Sequence, residues 1–365
     1  MKKHVSVNGD LVRKQREKRA WTQEELSERA NLGVRTVRRL EAGNASWENL
    51  LKVAEHLDLE PESTLVQPQA ARERDAREWF QVDPIKLELS THLLGGHSMQ
   101  FVQPLLDKLT RLRESVAREW GWMMPGIRIC DSTLLAPDLY RVHLRELPIG
   151  EGTIRDGQLL VMKAEEVASP CWSLPANWVT AVEGEQIRRG GGLVLSPQSV
   201  IVHHLRSLVE LHAHRLLGLD EVAQRLERLD QRRLVQEVIP ARIDLVGLRW
   251  ILRQLLREFI PIRDLPAILE SVADHPGLRL PELYEKVRAD LAYLISHLHA
   301  DSQGVIVGHH LESLPTLEQV RELESPVLVT TPELRPSLRV LLSDRPRLPV
   351  LSTSEVAPGY RVVKA

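Results

Sequence analysis

The chain has 365 residues, 43% of them hydrophobic and 27% charged, with a net charge of −2. Such a length and apolar content suit two or three packed domains and exclude a fibre or a wholly disordered chain. Near-neutrality excludes a polycation that coats nucleic acid along its whole length. Two cysteines, Cys130 and Cys171, are too few for a disulfide framework or a four-cysteine zinc site. No apolar run reaches the length of a membrane span, and the first residues lack the apolar core of a signal peptide, so the expectation is a cytoplasmic protein with reduced thiols.

Residues 1–43 carry eleven Lys and Arg against six Asp and Glu, so the acidic excess lies in the remainder. Four short helical patterns occupy this basic head. The first covers about 9–19. The second opens at Thr22-Gln23-Glu24-Glu25, where Thr22 and Glu25 have capping-box spacing. The third covers about 33–41, with Val37 and Leu40 on one face and Gly43 as its C-terminal stop. The fourth starts at Ser46 and aligns Leu50, Val53, Ala54 and Leu57.

The stretches Thr22-Gln23-Glu24-Glu25-Leu26 and Thr36-Val37-Arg38-Arg39-Leu40-Glu41-Ala42-Gly43 resemble the phage-repressor (XRE/Cro-like) helix-turn-helix family. The resemblance implies double-stranded DNA as a partner, with Val34, Arg35 and Arg38 reading base edges and Gln23, Arg39 and Asn44 meeting phosphates. Gly33 departs from the family, which usually has a capping Ser or Thr there. Two other readings of the head are a plain helical bundle and a helix-turn-helix reused for protein contact.

Residues 61–72, with two prolines and few apolar side chains, read as a domain edge. Beyond it, Ile85, Leu87 and Leu89 alternate as a strand, and Leu105, Leu109, Leu112 and Val116 form the stripe of a helix at 101–120. Strands at 126–131, 140–144 and 158–162 precede a helix at 181–189. Helices are expected at 199–217, 220–229, 245–257, 263–274 and 280–299. Strands at 304–307, 326–329 and 348–351 alternate with helices near 316–323 and 334–342.

Seven stretches then match one family in order, among them Asp83-Pro84-Ile85-Lys86-Leu87-Glu88-Leu89, Trp172-Ser173-Leu174-Pro175-Ala176-Asn177-Trp178 and Pro261-Ile262-Arg263-Asp264-Leu265. Residues 77–363 are similar to the C-terminal cytoplasmic region of the FlhA-type export-gate proteins of flagellar and type III secretion, the FHIPEP family. The fold class is therefore multidomain, an all-α helix-turn-helix head followed by an α+β and α/β body of several subdomains. The divisions are 1–67 for the head, 68–76 for a linker, 77–144 with 191–209 for a first α/β subdomain, 145–190 for an inserted β-rich subdomain, 210–300 for a helical subdomain and 301–365 for a C-terminal α/β subdomain. The resemblance further implies a nine-membered ring, a cleft that docks export chaperones, and no enzymatic activity. The family's cleft pairs an acidic residue with an aromatic one three positions on, which here are Ser169 and Trp172. Ser169, Trp172 and Trp178 are thus the partner-binding candidates, against the reading of both tryptophans as core.

No catalytic constellation or cofactor motif is visible. His203, His204, His212 and His214 share a helix without a carboxylate-rich ligand set, so no metal is expected. Gly190-Gly191-Gly192 reads as a turn rather than a phosphate cradle. The leading expectation is a sequence-specific DNA-binding transcriptional regulator, dimeric on DNA, whose body binds a protein partner or sets the oligomer. The alternative is a soluble FHIPEP-family component of flagellar or type III protein export.

Overall fold

The structure is a computed structural model that describes residues 4–7, 9–42, 44–59, 82–94, 98–155, 157–162, 177–316, 318–319 and 325–364. It divides into two compact units, Met1–Gln81 and Val82–Ala365.

The head consists of β1 (His4–Ser6), α1 (Gly9–Lys18), α2 (Gln23–Arg29), α3 (Val34–Glu41), β2 (Asn44–Ser46) and α4 (Trp47–Leu57). The capping box at α2 forms: the Glu25 N–H donates to Thr22 Oγ1 at 3.1 Å and the Thr22 N–H to Glu25 Oε2 at 2.7 Å. Gly33 caps α3 with no side-chain bond, whereas Ser46 accepts from the Asn49 N–H at the start of α4. Val12, Leu26, Val37, Leu40, Leu50, Val53 and Leu57 close over one buried core. The all-α expectation is corrected, because β1 pairs antiparallel with β2, Val5 facing Ala45 and Ser6 facing Asn44. Three-residue strands are too short to show a period in sequence, and their partner lies forty residues away. The proposed Gly43 stop lies outside the described residues.

The second unit begins with β3 (Ile85–Ser90), α5 (Thr91–Leu94), α6 (Ser98–Trp120), β4 (Ile127–Ser132), β5 (Leu139–Leu144) and β6 (Leu147–Thr153). The sheet order is β4-β3-β5-β6. β4 lies parallel to β3, with α6 in the connection between them, as a parallel pair requires a crossover. Ile85, Leu87 and Leu89 are buried, as their alternation predicts, together with Leu105, Leu109, Leu112 and Val116 of α6. β5 and β6 join through Arg145 and Glu146, both at positive φ, the geometry of the tight two-residue hairpin.

A second, antiparallel sheet of order β8-β7-β9 is built from β7 (Gln158–Met162), β8 (Asn177–Thr180) and β9 (Leu193–Leu195), with α7 (Ala181–Arg189) between β8 and β9. α8 (Pro197–Leu216) then packs against α6. A helical layer follows: α9 (Leu219–Glu227), α10 (Arg232–Val238), α11 (Leu245–Arg257), α12 (Leu265–Asp274), α13 (Leu280–Asp290) and α14 (Ala292–His299). The single helix expected over 280–299 is therefore two, broken at Leu291. Leu283, Val287, Leu291 and Ile295 are all buried at four-residue spacing, so the apolar stripe runs unbroken across the joint and hides it from a periodicity reading.

The C-terminal part comprises β10 (Val305–Leu311), β11 (Leu328–Thr330), α15 (Arg335–Leu341), β12 (Val350–Ser352) and β13 (Arg361–Lys364), in a parallel sheet of order β12-β11-β10-β13. A buried ionic network joins it to the helical layer. Arg288 of α13 donates through Nε to Glu355 Oε1 at 2.7 Å, through Nη2 to Glu355 Oε2 at 2.8 Å and through Nη1 to Glu258 at 3.2 Å. Arg335 of α15 donates to the same Glu258 at 2.8 Å and pairs with Glu285. Tyr284 donates its hydroxyl to Glu258 at 2.7 Å. Burial alone would raise the Glu258 carboxyl, but Arg288 and Arg335 outweigh it and hold the group below its ordinary value.

Candidate protein-docking surfaces

In the head, Val34, Arg35, Arg38 and Arg39 share α3, and Gln23 at the start of α2 is bonded to one of them. Gln23 donates its amide to Glu41 Oε2 at 2.6 Å and accepts from Arg38 Nε at 3.1 Å. Arg38 also lies 3.7 Å from Glu24. Glu41, 4% exposed, is held in turn by Arg16 through Nε at 2.6 Å, and Arg16 Nη1 donates to the Trp21 carbonyl at 2.7 Å. Gln23 thus bonds within the head through one of its two amide N–H groups. Arg35 and Arg39 are exposed and Val34 half-buried, and Asn44 is the first residue of β2. Sequence reasoning missed the Arg16–Glu41 pair. No short-range spacing marks two residues 25 apart, although an acidic residue among the apolar positions closing α3 is a signal in hindsight.

In the body, Trp178 sits on β8 opposite Leu160 of β7, half-buried and packed against the main core. Ser169 and Trp172 lie outside the described residues. α7 begins with a second capping box, Thr180 with Glu183, and seats Gly184 hard against Leu159. A Cβ at Gly184 would come within 2.6 Å of Leu159 Cδ1, which fixes this residue by packing. Val182 of α7 and Leu193 of β9 remain apolar and exposed, at 70% and 58%.

A cleft of about 600 Å³ opens between α8 and the segment ahead of β12. Its walls include Leu208, Leu211, Pro326 and Leu348, and Arg347 crosses it to donate to Ser207 Oγ at 2.7 Å and the Ser207 carbonyl at 3.2 Å. His204 lies at its floor, its Nδ1 3.0 Å from the Tyr140 hydroxyl, and burial pushes its pKa down to about 4, so the ring is neutral at pH 7. Ser207 is occupied as an acceptor for Arg347. A cleft with apolar walls that is also lined by Arg345 and Arg347 can receive a side chain or a short helix. Among the described residues no group of three or more His, Cys, Asp or Glu is placed to hold a metal ion. Cys130 of β4 is half-buried, and burial raises its thiol. No described helix is long and apolar enough to cross a membrane.

The FHIPEP family model matches residues 33–320. The flagellar biosynthesis protein FlhA of Caulobacter vibrioides is 29% identical over 330 residues, covering 77% of this chain and 47% of that protein. FlhA of Helicobacter pylori is 29% identical over 286 residues, covering 70% and 39%. FlhA of Escherichia coli is 28% identical over 326 residues, covering 77% and 47%. The chain therefore spans about half the length of the curated relatives it matches. Among solved structures, the Chlamydia pneumoniae CdsV protein superposes with a TM-score of 0.68 at 24% identity, over 78% of this chain and 96% of that one. The nonameric SctV-C of EPEC superposes with a TM-score of 0.62 at 18% identity, over 78% and 97%. At these identities the likeness is one of fold.

These findings correct the leading expectation. The relatives are flagellar biosynthesis proteins, not repressors, and the family match begins at residue 33 and so takes in α3, the helix read as entering the major groove. The assignment to the phage-repressor family, the DNA partner, the transcriptional role and the DNA-bound dimer are withdrawn with it. The physical reason for the misreading is local. A capping box, a tight inter-helix turn and exposed arginines describe how helices begin and meet, and carry no information about what their exposed face binds.

Proposed function

The chain belongs to the FHIPEP family, and on that premise we propose that its body is a protein-docking, ring-forming component of flagellar or type III protein export. The observation that carries the reading is the match of the body to the CdsV fold over 96% of that chain. Two related structures point to the mode of action: SctV-C is nonameric, and CdsV was solved in complex with CdsO. The role proposed is to bind partners, export chaperones or secretion components, in the cytoplasm and without catalysis.

Two apolar surfaces suit this work: the small sheet with its helix α7, where Trp178 and Leu193 lie on strands and Val182 on the helix, and the cleft beside α8. The family-implied pair Ser169 and Trp172 lies in the same inserted segment as the small sheet. Ser169 brings no charge, so docking there would rest on apolar contact rather than on a charge-assisted bond. The head is proposed to make a protein contact through its exposed α3 face.

The test has two parts. Light scattering of the purified chain over a range of concentrations is expected to show assembly beyond a dimer, and a monomer at every concentration would remove the ring. Deletion of the coding sequence is expected to lower secretion of flagellar or type III substrates, and unaltered secretion would remove the export role.

A further inference from the structure

Arg249, Arg253 and Arg257 follow one another at four-residue intervals on α11, so they share one face. They line a groove of about 300 Å³ together with Val246, Trp250 and His214. Among the described residues no carboxylate lies within ion-pair distance of any of the three. Glu258, next in the chain, is already taken by Arg288, Arg335 and Tyr284. Arg253 is anchored by donating Nε to the His214 carbonyl, while Arg257 is exposed and Arg249 half-buried.

The charges acting on Arg253 and His214 are cationic, while Arg257 also borders a second cavity that holds Glu258 and Glu285. Burial, then Arg249 and Arg145, lower Arg253 from its ordinary value. Burial, then Arg257, His212, Arg253 and Arg215, push His214 down to about 4. The Nδ1 atom of His214 is buried without a hydrogen-bond partner. Like charges held together by the fold repel one another, and an anion that enters relieves the repulsion. An arginine row without carboxylate partners, held on one helix face, is a surface that favours an anion.

We propose that this groove binds an acidic segment of a partner protein in extended conformation, its alternate carboxylates pairing with Arg249, Arg253 and Arg257. The spacing supports an extended strand. Four helical residues rise about 6 Å, and alternate side chains of a strand stand about 6.6 Å apart on the same face. Planar guanidinium groups suit bidentate carboxylate pairing. Val246, 51% exposed, and Trp250 supply apolar surface between the cations, which suits the intervening side chains of a peptide. A nucleic-acid backbone is disfavoured, because the row spans only about 12 Å of helix. The inference deepens the docking reading and rests on it only in taking the partner to be a protein.

The test is fluorescence anisotropy of the full chain with a short labelled peptide of alternating Asp and Leu. Saturable binding is expected, weakened about tenfold or more by the double variant Arg249→Gln/Arg257→Gln, weakened by salt, and unchanged by Arg233→Gln on α10. Arg257→Gln alone, at an exposed position, is expected to weaken binding in a chain that melts at the parental temperature. Absence of binding, or equal binding by the double variant, overturns the proposal. So does tighter binding of a single-stranded oligonucleotide of equal charge, which would make the groove a nucleic-acid site. A changed oligomer size in the double variant, with peptide affinity intact, would make it a contact between copies. Failure here leaves the export role to the deletion experiment, which depends on no residue of this groove.

Discussion

Replacing Arg288 by Met should loosen the C-terminal sheet from the helical layer. Arg288 is 2% exposed and reaches both oxygens of Glu355, 1% exposed, as well as Glu258 and the Val350 carbonyl. The network holds three carboxylates, Glu258, Glu285 and Glu355, against two guanidinium groups, Arg288 and Arg335. Removing Arg288 leaves Glu355 with Arg335 at 3.7 Å as its remaining cation. Breaking a buried pair from one side costs about 3–5 kcal/mol, because the surviving charge stays buried. Glu355→Gln removes the excess carboxylate instead, and an amide can keep one bond to Arg288 and the bond to the Ser352 N–H. That loss should be about 1–2 kcal/mol. Hydrogen exchange of the segment around β12 reads the difference directly, because it reports local opening where a global melt of a two-unit chain does not. Arg288→Met should speed exchange there by roughly two to four powers of ten, and Glu355→Gln by about tenfold. Equal effects, or an Arg288→Met effect below about tenfold, would refute the claim that the network carries this junction.

Three further outcomes are expected. Thr22→Ala removes the cap acceptor for Glu25 N and should cost the head about 1 kcal/mol, read as a lower melting temperature of the head and restored by Thr22→Ser. Gly121→Ala should be far more damaging. Gly121 has φ +74, and a Cβ would lie 2.2 Å from the Arg263 backbone, so misfolding or a lowered melting temperature is expected and an unchanged melt would contradict the packing. The third concerns pH. His204, His214 and His299 are each pushed down to about 4, chiefly by burial, from an ordinary 6.5. A depressed folded value means that their contribution is whole above pH 6.5 and is lost as the pH falls toward 4. Urea titrations should show stability declining through that window, and His204→Gln should lessen the slope; a flat profile would count against the buried neutral rings.

Much of the fold was legible because its signals are local. Alternation at Ile85, Leu87 and Leu89 fixes which face of β3 is buried. The stripe Leu105, Leu109, Leu112 and Val116 fixes α6, and Thr22 and Glu25 fix where α2 starts, each through neighbours within a few residues. The order of matching stretches along the body carried the family resemblance for the same reason, since every stretch is read in place.

The candidate surfaces were less legible. The Arg249, Arg253 and Arg257 row is periodic in sequence, yet whether carboxylates neutralise it is decided by what folds against α11. The break at Leu291 was hidden by an apolar stripe that serves both helices. Most helices and the longer strands were thus set by the sequence itself, through periodicity and capping, and the family through the order of its matching stretches. Which charges meet was decided by tertiary structure alone: Arg16 finds Glu41 across 25 residues and Arg288 finds Glu355 across 67. Burial makes such pairs obligatory, because a lone charge in the interior costs several kcal/mol, but no spacing along the chain announces which partner will arrive.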